Sequence, residues 1–228
     1  MEPFTRLEGL AAPLPAANVD TDVIMPKRFL KGVDRAGLAE GVFADFRFHR
    51  DGGPDEAFIL NRPGWRGARF LVVGPNFGCG SSREHAVWGL RQLGVRALIG
   101  TTYAGIFFDN CARNGLLAVS MTEGQVERLT EMASDPTRNR FEIDLPAQTV
   151  RAGGRSEGFE IDGFLKEMLI EGLDAVGATL RGKDEIRAFE AAHFTAFPWL
   201  RSAAATRDDA QSASDDAGSA LAAGVRRS

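Results

Sequence analysis

Arg69-Phe70-Leu71-Val72-Val73-Gly74, then Pro75, then Asn76-Phe77-Gly78-Cys79-Gly80-Ser81-Ser82-Arg83-Glu84-His85-Ala86 is the stretch whose reading decides the fold. Its first six residues are a short apolar run of buried-strand type, and Arg83 to Leu93 has helical periodicity. The polar cluster between them therefore occupies a strand-to-helix turn. In an open α/β sheet such a turn lies at the carboxyl end of a strand, where ligands are usually bound. The unpartnered N–H groups and the dipole of a helix start favour negative charge there, so the first expectation is an anion site.

Downstream the alternation repeats. Val95 to Gly100 and Leu116 to Ser120 have the length and composition of buried strands, 104–113 reads as a helix, and Gly94 and Gly115 fall where helices stop. Two consecutive βαβ crossovers over 69–121 predict an α/β fold with a mostly parallel βαβαβ core. A further helix is expected over 123–134, with Thr122 as its N-cap. Phe141 to Leu145 and Phe159 to Asp162 alternate apolar and polar, which predicts two half-exposed strands flanking the turn at Gly153-Gly154. Residues 163–171, 173–180 and 184–193 are amphipathic and are expected to be helices covering one face or end of the sheet.

Upstream, residues 1–17 carry Pro3, Pro13 and Pro15 and are expected to enter the fold as a short strand or extended lead-in. Asn18 to Lys31 places short polar residues before an apolar triplet and a proline; it reads either as a surface turn or as a second polar loop facing the first. Residues 32–64 are rich in Gly, Asp and Arg, break at Gly52-Gly53-Pro54, and receive no fold assignment. The last stretch, 201–228, has almost no large apolar residue and is expected to be a disordered tail, which leaves 1–200 as one domain.

The chain has 228 residues, 44% hydrophobic and 25% charged, with formal net charge −4. Lys and Arg are scattered, which gives no electrostatic footprint for nucleic acid. No window reaches the roughly 18 consecutive apolar residues of a membrane span, and the N-terminus lacks signal-peptide character, so a cytoplasmic location is expected. The two cysteines, Cys79 and Cys111, are expected as free thiols. With no CxxC pair, and His49, His85 and His193 far apart, no metal site is expected, and an iron–sulfur cluster held by this chain alone is disfavoured.

Ser81 and Glu84 have the Ser-x-x-Glu spacing of a capping box, so both side chains have a purely structural reading. The surplus argues for more: a cap needs one hydroxyl and neither Arg83 nor the small residues before it. Gly78 and Gly80 allow close approach of a ligand, and Arg83 can grip a carboxylate by two parallel hydrogen bonds. The spacing is neither a P-loop, nor Gly-x-Gly-x-x-Gly, nor a nucleophile elbow. Cys79 reads as a reactive thiol or a small packing residue, and His85 as a site or packing residue.

Asn76 to Ala86 resembles the signature of the swivelling domain of the aconitase superfamily, in the form found in small subunits of bacterial 3-isopropylmalate dehydratases. Asp20-Thr21-Asp22 with Pro26 to Lys31, Tyr103 to Cys111, and the region near Trp199 are similar to the same family, and the resemblance covers about residues 1–200.

The resemblance implies a swivelling β/β/α-type domain with flanking strands and C-terminal helices. It also implies half of a hydro-lyase that interconverts 2- and 3-isopropylmalate through 2-isopropylmaleate in leucine biosynthesis. Ser81 matches the serine that acts as alkoxide base, and Ser82 and Arg83 match carboxylate-binding residues. Asp20, Thr21 and Lys31 are further candidates for substrate binding. The 4Fe-4S cluster is implied to sit on a separate large subunit, the expected partner, with a small dicarboxylate hydroxy acid as substrate. The isopropyl pocket is expected between Phe29 and Phe48. Alternatives left open are a related hydro-lyase for homocitrate-type or methylmalate-type acids and a non-enzymatic anion-binding module.

Overall fold

Residues 1–30 and 36–200 are described by the structure, a computed structural model. In chain order the first compact unit, Met1–Val176, begins with β1 (Arg6–Leu14), α1 (Thr21–Ile24), α2 (Ala44–Arg47) and β2 (Phe70–Val73). It continues through α3 (His85–Gln92), β3 (Ala97–Gly100), α4 (Gly105–Arg113), β4 (Leu117–Ser120) and α5 (Glu123–Ser134). The unit is completed by β5 (Arg140–Asp144), β6 (Thr149–Ala152), β7 (Arg155–Gly158) and α6 (Gly163–Glu171). α7 (Ala175–Leu180) spans the boundary, and α8 (Lys183–Ala196) belongs to the second unit, Gly177–Ser228.

The strands form one sheet in the order β4-β3-β2-β1-β5-β6-β7. β2, β3 and β4 pair in parallel as the periodicity predicts, and β1 adds a fourth parallel strand. β1 is also the pivot of the sheet. Its second half, Ala11 to Leu14, lies beside Phe70 to Val73, while its first half, Arg6 to Leu10, runs antiparallel to Arg140 to Asp144. Of the two expectations for 1–17, a short strand or an extended lead-in, the strand holds, and it is a nine-residue strand joining the parallel and antiparallel halves. Pro13 is tolerated because it lacks an N–H on the side that β5 has already left: Ala11, facing that same side, donates to Asn139 O at 2.8 Å, outside the strand ladder.

All four residues of β2 are buried because helices or strands cover both faces of the sheet. Phe70 and Val72 point into a core shared with Val126 and Leu129 of α5 and with Phe141, Ile143 and Val150 of the antiparallel half. Leu71 and Val73 point into the opposite core, with Ile24 of α1, Val87 and Leu90 of α3, and Phe107 and Cys111 of α4. Each such side chain contributes about 1.5–3 kcal/mol over leaving it exposed. The 32–64 segment is anchored to this second core by buried Leu38, Val42 and Phe43.

The antiparallel half differs from the expectation. β6 and β7 flank Gly153-Gly154 in a hairpin that pairs Ala152 with Arg155, and both glycines have positive φ, 53° and 79°. This is the geometry a two-residue hairpin turn demands. Phe159 to Asp162 is not a strand: Phe159 is buried and its N–H donates to Gln148 O at 3.0 Å, but the chain has already left the ladder at Gly158. Among the C-terminal helices, α6 contributes buried Met168 and Leu169, whereas α7 and α8 contribute no buried residue. Within the second unit the His193 ring stacks on Phe189 at 5.4 Å and approaches Phe197 at 5.0 Å.

Candidate functional site

Three loops meet at the carboxyl edge of the parallel strands: 15–20 after β1, 74–84 after β2 and 101–104 after β3. Backbone hydrogen bonds zip the first two together. Asn18 N–H donates to Pro75 O at 2.9 Å, Gly78 N–H to Val19 O at 2.8 Å, and Thr21 N–H to Cys79 O at 2.8 Å. Asn18 and Asn76 both adopt positive φ, which asparagine tolerates, and Asn76 Nδ2 donates to Asn18 Oδ1 at 2.8 Å. The third loop joins through Asn76 N–H, which donates to Thr102 Oγ1 at 2.9 Å. Asn18 to Thr21, the start of the Asn18–Lys31 motif, thus faces the first polar loop rather than standing as an isolated surface turn.

The helix after the signature starts later than its spacing implies. α3 begins at His85, with Glu84 as an N-cap that makes no side-chain capping bond. The Ser81–Glu84 capping box does not form. Instead Ser81 Oγ lies 2.8 Å from Thr21 Oγ1, and Ser81 N–H donates to that same threonine oxygen at 3.1 Å. Thr21 is buried, with 1% of its surface exposed, while Ser81 is half-buried and Ser82 exposed. The two glycines serve the packing of the protein itself. A Cβ at Gly78 would collide with the Phe107 ring, and one at Gly80 would come within 3.3 Å of Asp20 Cβ.

Arg83 forms an ion pair and hydrogen bond with Asp22, a residue that the sequence pattern alone does not single out. Lys27 Nζ stands 3.6 Å from the other Asp22 oxygen. The hydrogen bond from Arg83 holds the Asp22 carboxyl below the usual carboxylate range, and the charges of Arg83 and Lys27 add to it. Because the folded value is depressed, the stabilisation is present above the unfolded value near 3.8 and is lost as pH falls through the lowered folded value. A carboxyl-carbon NMR titration is expected to find Asp22 below 3.8 in the wild type and shifted upward in Arg83→Gln. An unchanged midpoint in that variant would mean the pair does not form in solution.

Of the remaining candidates, Asp20 Oδ1 accepts from the N–H groups of Asp22 at 2.8 Å and Val23 at 2.7 Å, capping α1. Lys31 lies outside the described residues. The carbonyl of Ser82 accepts from Asn110 Nδ2 at 3.2 Å, and Asn110, on α4, is a buried polar residue that sequence reasoning missed. Cys79 Sγ donates to Asn18 O at 3.4 Å, and the His85 ring packs on Trp88 at 4.7 Å. A cavity of about 760 Å³, whose lining among the described residues includes none of the candidate site residues, is formed by Arg28, Phe29, Ala44, Asp45, Phe48 and His49, among others.

The site thus combines a serine hydroxyl fastened to a buried threonine, an exposed second serine, and an arginine whose present partner is a carboxylate. Arg83 grips Asp22 through one terminal nitrogen, Nη1, and a guanidinium carries further N–H donors beyond that one. Among the described residues, no group of three or more His, Cys, Asp and Glu side chains is arranged to hold a metal ion. Burial pushes the Cys111 thiol well above its usual range, and Cys79 stands alone in the loop. These residues do not fit an iron–sulfur cluster. No helix among the described residues is long and apolar enough to cross a membrane.

Residues 1–124 match the model of the aconitase C-terminal domain, and residues 176–203 match the model of the C-terminal domain of 3-isopropylmalate dehydratase small subunits. The chain is 58% identical over 201 residues to 3-isopropylmalate dehydratase small subunit 1 of Mannheimia succiniciproducens, covering 88% of this chain and 100% of that protein. It is 51% identical over 207 residues to small subunit 2 of Salmonella typhimurium, covering 91% and 100%. The crystal structure of a 3-isopropylmalate dehydratase from Methanocaldococcus jannaschii superposes with a TM-score of 0.60 at 26% identity, covering 82% of this chain and 99% of that one. With similarity of this degree along most of the chain, this chain belongs to the family of 3-isopropylmalate dehydratase small subunits.

Proposed function

We propose that this chain is the small subunit of a 3-isopropylmalate dehydratase, supplying the proton-transfer and carboxylate-binding half of an active site completed by a large subunit. The observation that carries the reading is the junction of the two polar loops, where Ser81 and Arg83 stand side by side with Thr21 and Asp22 as their partners. Removal of the elements of water from 2-isopropylmalate requires a base for the carbon-bound proton and a grip on the carboxylates. In this proposal Ser81 Oγ, as alkoxide, takes that proton. The electrons of the broken C–H bond form the double bond of 2-isopropylmaleate as the hydroxyl leaves the neighbouring carbon, a departure that would need a Lewis acid, which the large subunit would supply. Rehydration in the other regiochemistry gives 3-isopropylmalate, with Ser81 returning the proton.

Ser82 and Arg83 hold a substrate carboxylate, with Asp20 and Lys31 as further candidates for substrate binding, whereas Thr21, 1% exposed and bonded to Ser81, stands behind the serine and out of reach of the substrate. Arg83 is paired with Asp22, so binding requires the incoming carboxylate to share the guanidinium or displace Asp22. The isopropyl branch is assigned to the stretch from Phe29 to Phe48, where Phe29, Ala44 and Phe48 line the large cavity. Since this chain's residues do not fit an iron–sulfur cluster, the 4Fe-4S cluster is assigned to the large subunit, and this chain's own part is to move the proton and hold the carboxylate. A cytoplasmic location belongs to the same proposal.

The test is reconstitution. Co-expressed anaerobically with a candidate large subunit, the chain is expected to convert 2-isopropylmalate, and neither chain is expected to do so alone. Citraconate and homoaconitate serve as competing substrates, because a pocket distinguishes acids differing by one methylene by only about 1–3 kcal/mol. If every large subunit tried fails to confer activity on any of these acids, the reading is overturned. A preference for homoaconitate or citraconate would reassign the substrate.

A further inference from the structure

We propose that Thr21 is the hydrogen-bond donor that stabilises the ionised form of Ser81, a positioning residue that acts on the reaction through the serine; the inference rests on the reading of Ser81 as the base. The argument is a proton inventory at one buried oxygen. A threonine hydroxyl has one proton to give and two lone pairs. One lone pair of Thr21 Oγ1 is taken by the Ser81 N–H at 3.1 Å. The proton needs an acceptor, since a buried hydroxyl left unpaired is costly. Thr21 is 1% exposed, and among the described residues the acceptor within reach is Ser81 Oγ at 2.8 Å. If Ser81 donated instead, the threonine proton would be stranded away from water.

The donation therefore runs from Thr21 to Ser81, which leaves the serine's own proton, and the lone pair that replaces it on ionisation, free on the half-open side of the loop. When Ser81 becomes an alkoxide the bond from Thr21 becomes charge-assisted, shorter and stronger, which favours the ionised form. Because the Ser81 N–H pulls on the threonine oxygen, it makes the threonine proton a better donor, so the two bonds reinforce each other. The position of Thr21 is fixed independently of the serine. Its N–H donates to Cys79 O at 2.8 Å, its carbonyl accepts from Met25 N–H at 2.9 Å, and the carboxylate of Asp20 caps the turn it begins. This explains why a buried hydroxyl residue follows Asp20 where an apolar one would pack as well.

The experiment uses the small subunit assembled with its large subunit and 2-isopropylmalate carrying deuterium at the carbon that loses its proton. Thr21→Val keeps the side chain's volume and removes the donor, together with the oxygen that accepts from the Ser81 N–H. It is expected to lower kcat about 10- to 100-fold, the range for a lost hydrogen bond to a charged group. KM should stay unchanged, and the primary deuterium effect on kcat should rise because proton abstraction becomes more rate-limiting. Thr21→Ser, which restores the hydroxyl without the methyl, is expected to recover most of the lost turnover. If Thr21→Val does not assemble, Thr21→Ala takes its place under the same criteria.

Three results would overturn the inference: turnover indistinguishable from wild type, a raised KM with kcat preserved, or a loss in Thr21→Ser equal to that in Thr21→Val. The first removes any role, the second makes Thr21 a substrate contact, and the third makes it a packing residue. Ser81→Ala measured in parallel separates the two levels. If Ser81→Ala is inactive and Thr21→Val is normal, only this inference fails. If Ser81→Ala turns over normally, the base reading fails and the inference with it.

Discussion

Ser81→Ala in the assembled enzyme is expected to lose turnover by about 10²- to 10⁴-fold, the usual contribution of a positioned general base. The substrate's dissociation constant should change little, because the carboxylate grip assigned to Ser82 and Arg83 is untouched. Alanine leaves the backbone N–H of residue 81 in place, so Thr21 Oγ1 still receives it. What it removes is the acceptor for the threonine proton at 2.8 Å, a loss that costs about 1–3 kcal/mol when a buried donor is stranded. A modest fall in melting temperature with assembly intact is therefore expected beside the large fall in kcat. Single-turnover kinetics with measured substrate affinity separates the two effects. Full turnover in Ser81→Ala would assign the carbon-bound proton to another group.

Strands and helices differ in how openly the chain announces them. β2, β3 and β4 are four-residue runs, almost wholly buried, and such runs betray themselves by continuous hydrophobicity; their helices are bounded by Gly94 and Gly115. β1 reads only as a short strand or extended lead-in because prolines argue against a long central strand. That argument fails when a strand has a different neighbour along each half of its length, as β1 does. β6 and β7 carry Thr, Arg, Ser and Glu, with little apolar signal, and are set in place by the glycine turn between them. Phe159 and Ile161 mimic a strand because both are apolar with one polar residue between; Phe159 is buried by a loop contact instead.

At the site, the loop of hydroxyl and guanidinium groups is legible as a cluster, but the partners of those groups are not. Asp22 lies 61 residues before Arg83, and Asn110 lies 28 residues after Ser82, so no local spacing couples them. A polar residue in the middle of α4 has a periodicity that says which face it occupies but not that a loop carbonyl waits there. The one signal for Asp22 is the second acid of Asp20-Thr21-Asp22, since one carboxylate suffices to cap the turn. The Ser81–Glu84 spacing is a coincidence of pattern: a capping box needs the helix to start at the serine, and here Ser81 is bonded to Thr21 and the helix starts only after Glu84.

Gly78→Ala is expected to disable the site from behind, without touching any group assigned to chemistry. Gly78 has φ of +77°, which an L side chain adopts only with strain of about 1 kcal/mol or more. The added Cβ would also fall 2.1 Å from Cγ of Phe107. That ring is fully buried and stands edge-on to Phe77 at 5.7 Å, so it has no open space to swing into. Overpacking of this kind costs about 1–3 kcal/mol, and with the backbone strain the total is about 2–4 kcal/mol. For a unit of this size the melting temperature should fall by about 5–15 °C. The cheaper response is for the loop to lift, breaking the Gly78 N–H to Val19 O bond at 2.8 Å and with it the seam that brings Ser81 to Thr21. A displacement near 1 Å at the reacting groups is enough to cost about 10²-fold in rate. Calorimetry and turnover of Gly78→Ala are therefore expected to fall together, and the double variant Gly78→Ala, Phe107→Leu is expected to regain part of both, because the smaller side chain opens room where the ring stood. Wild-type stability in the single variant would show that the loop has a relaxed alternative, and the close packing of Gly78 against Phe107 would not be what holds Ser81 in place.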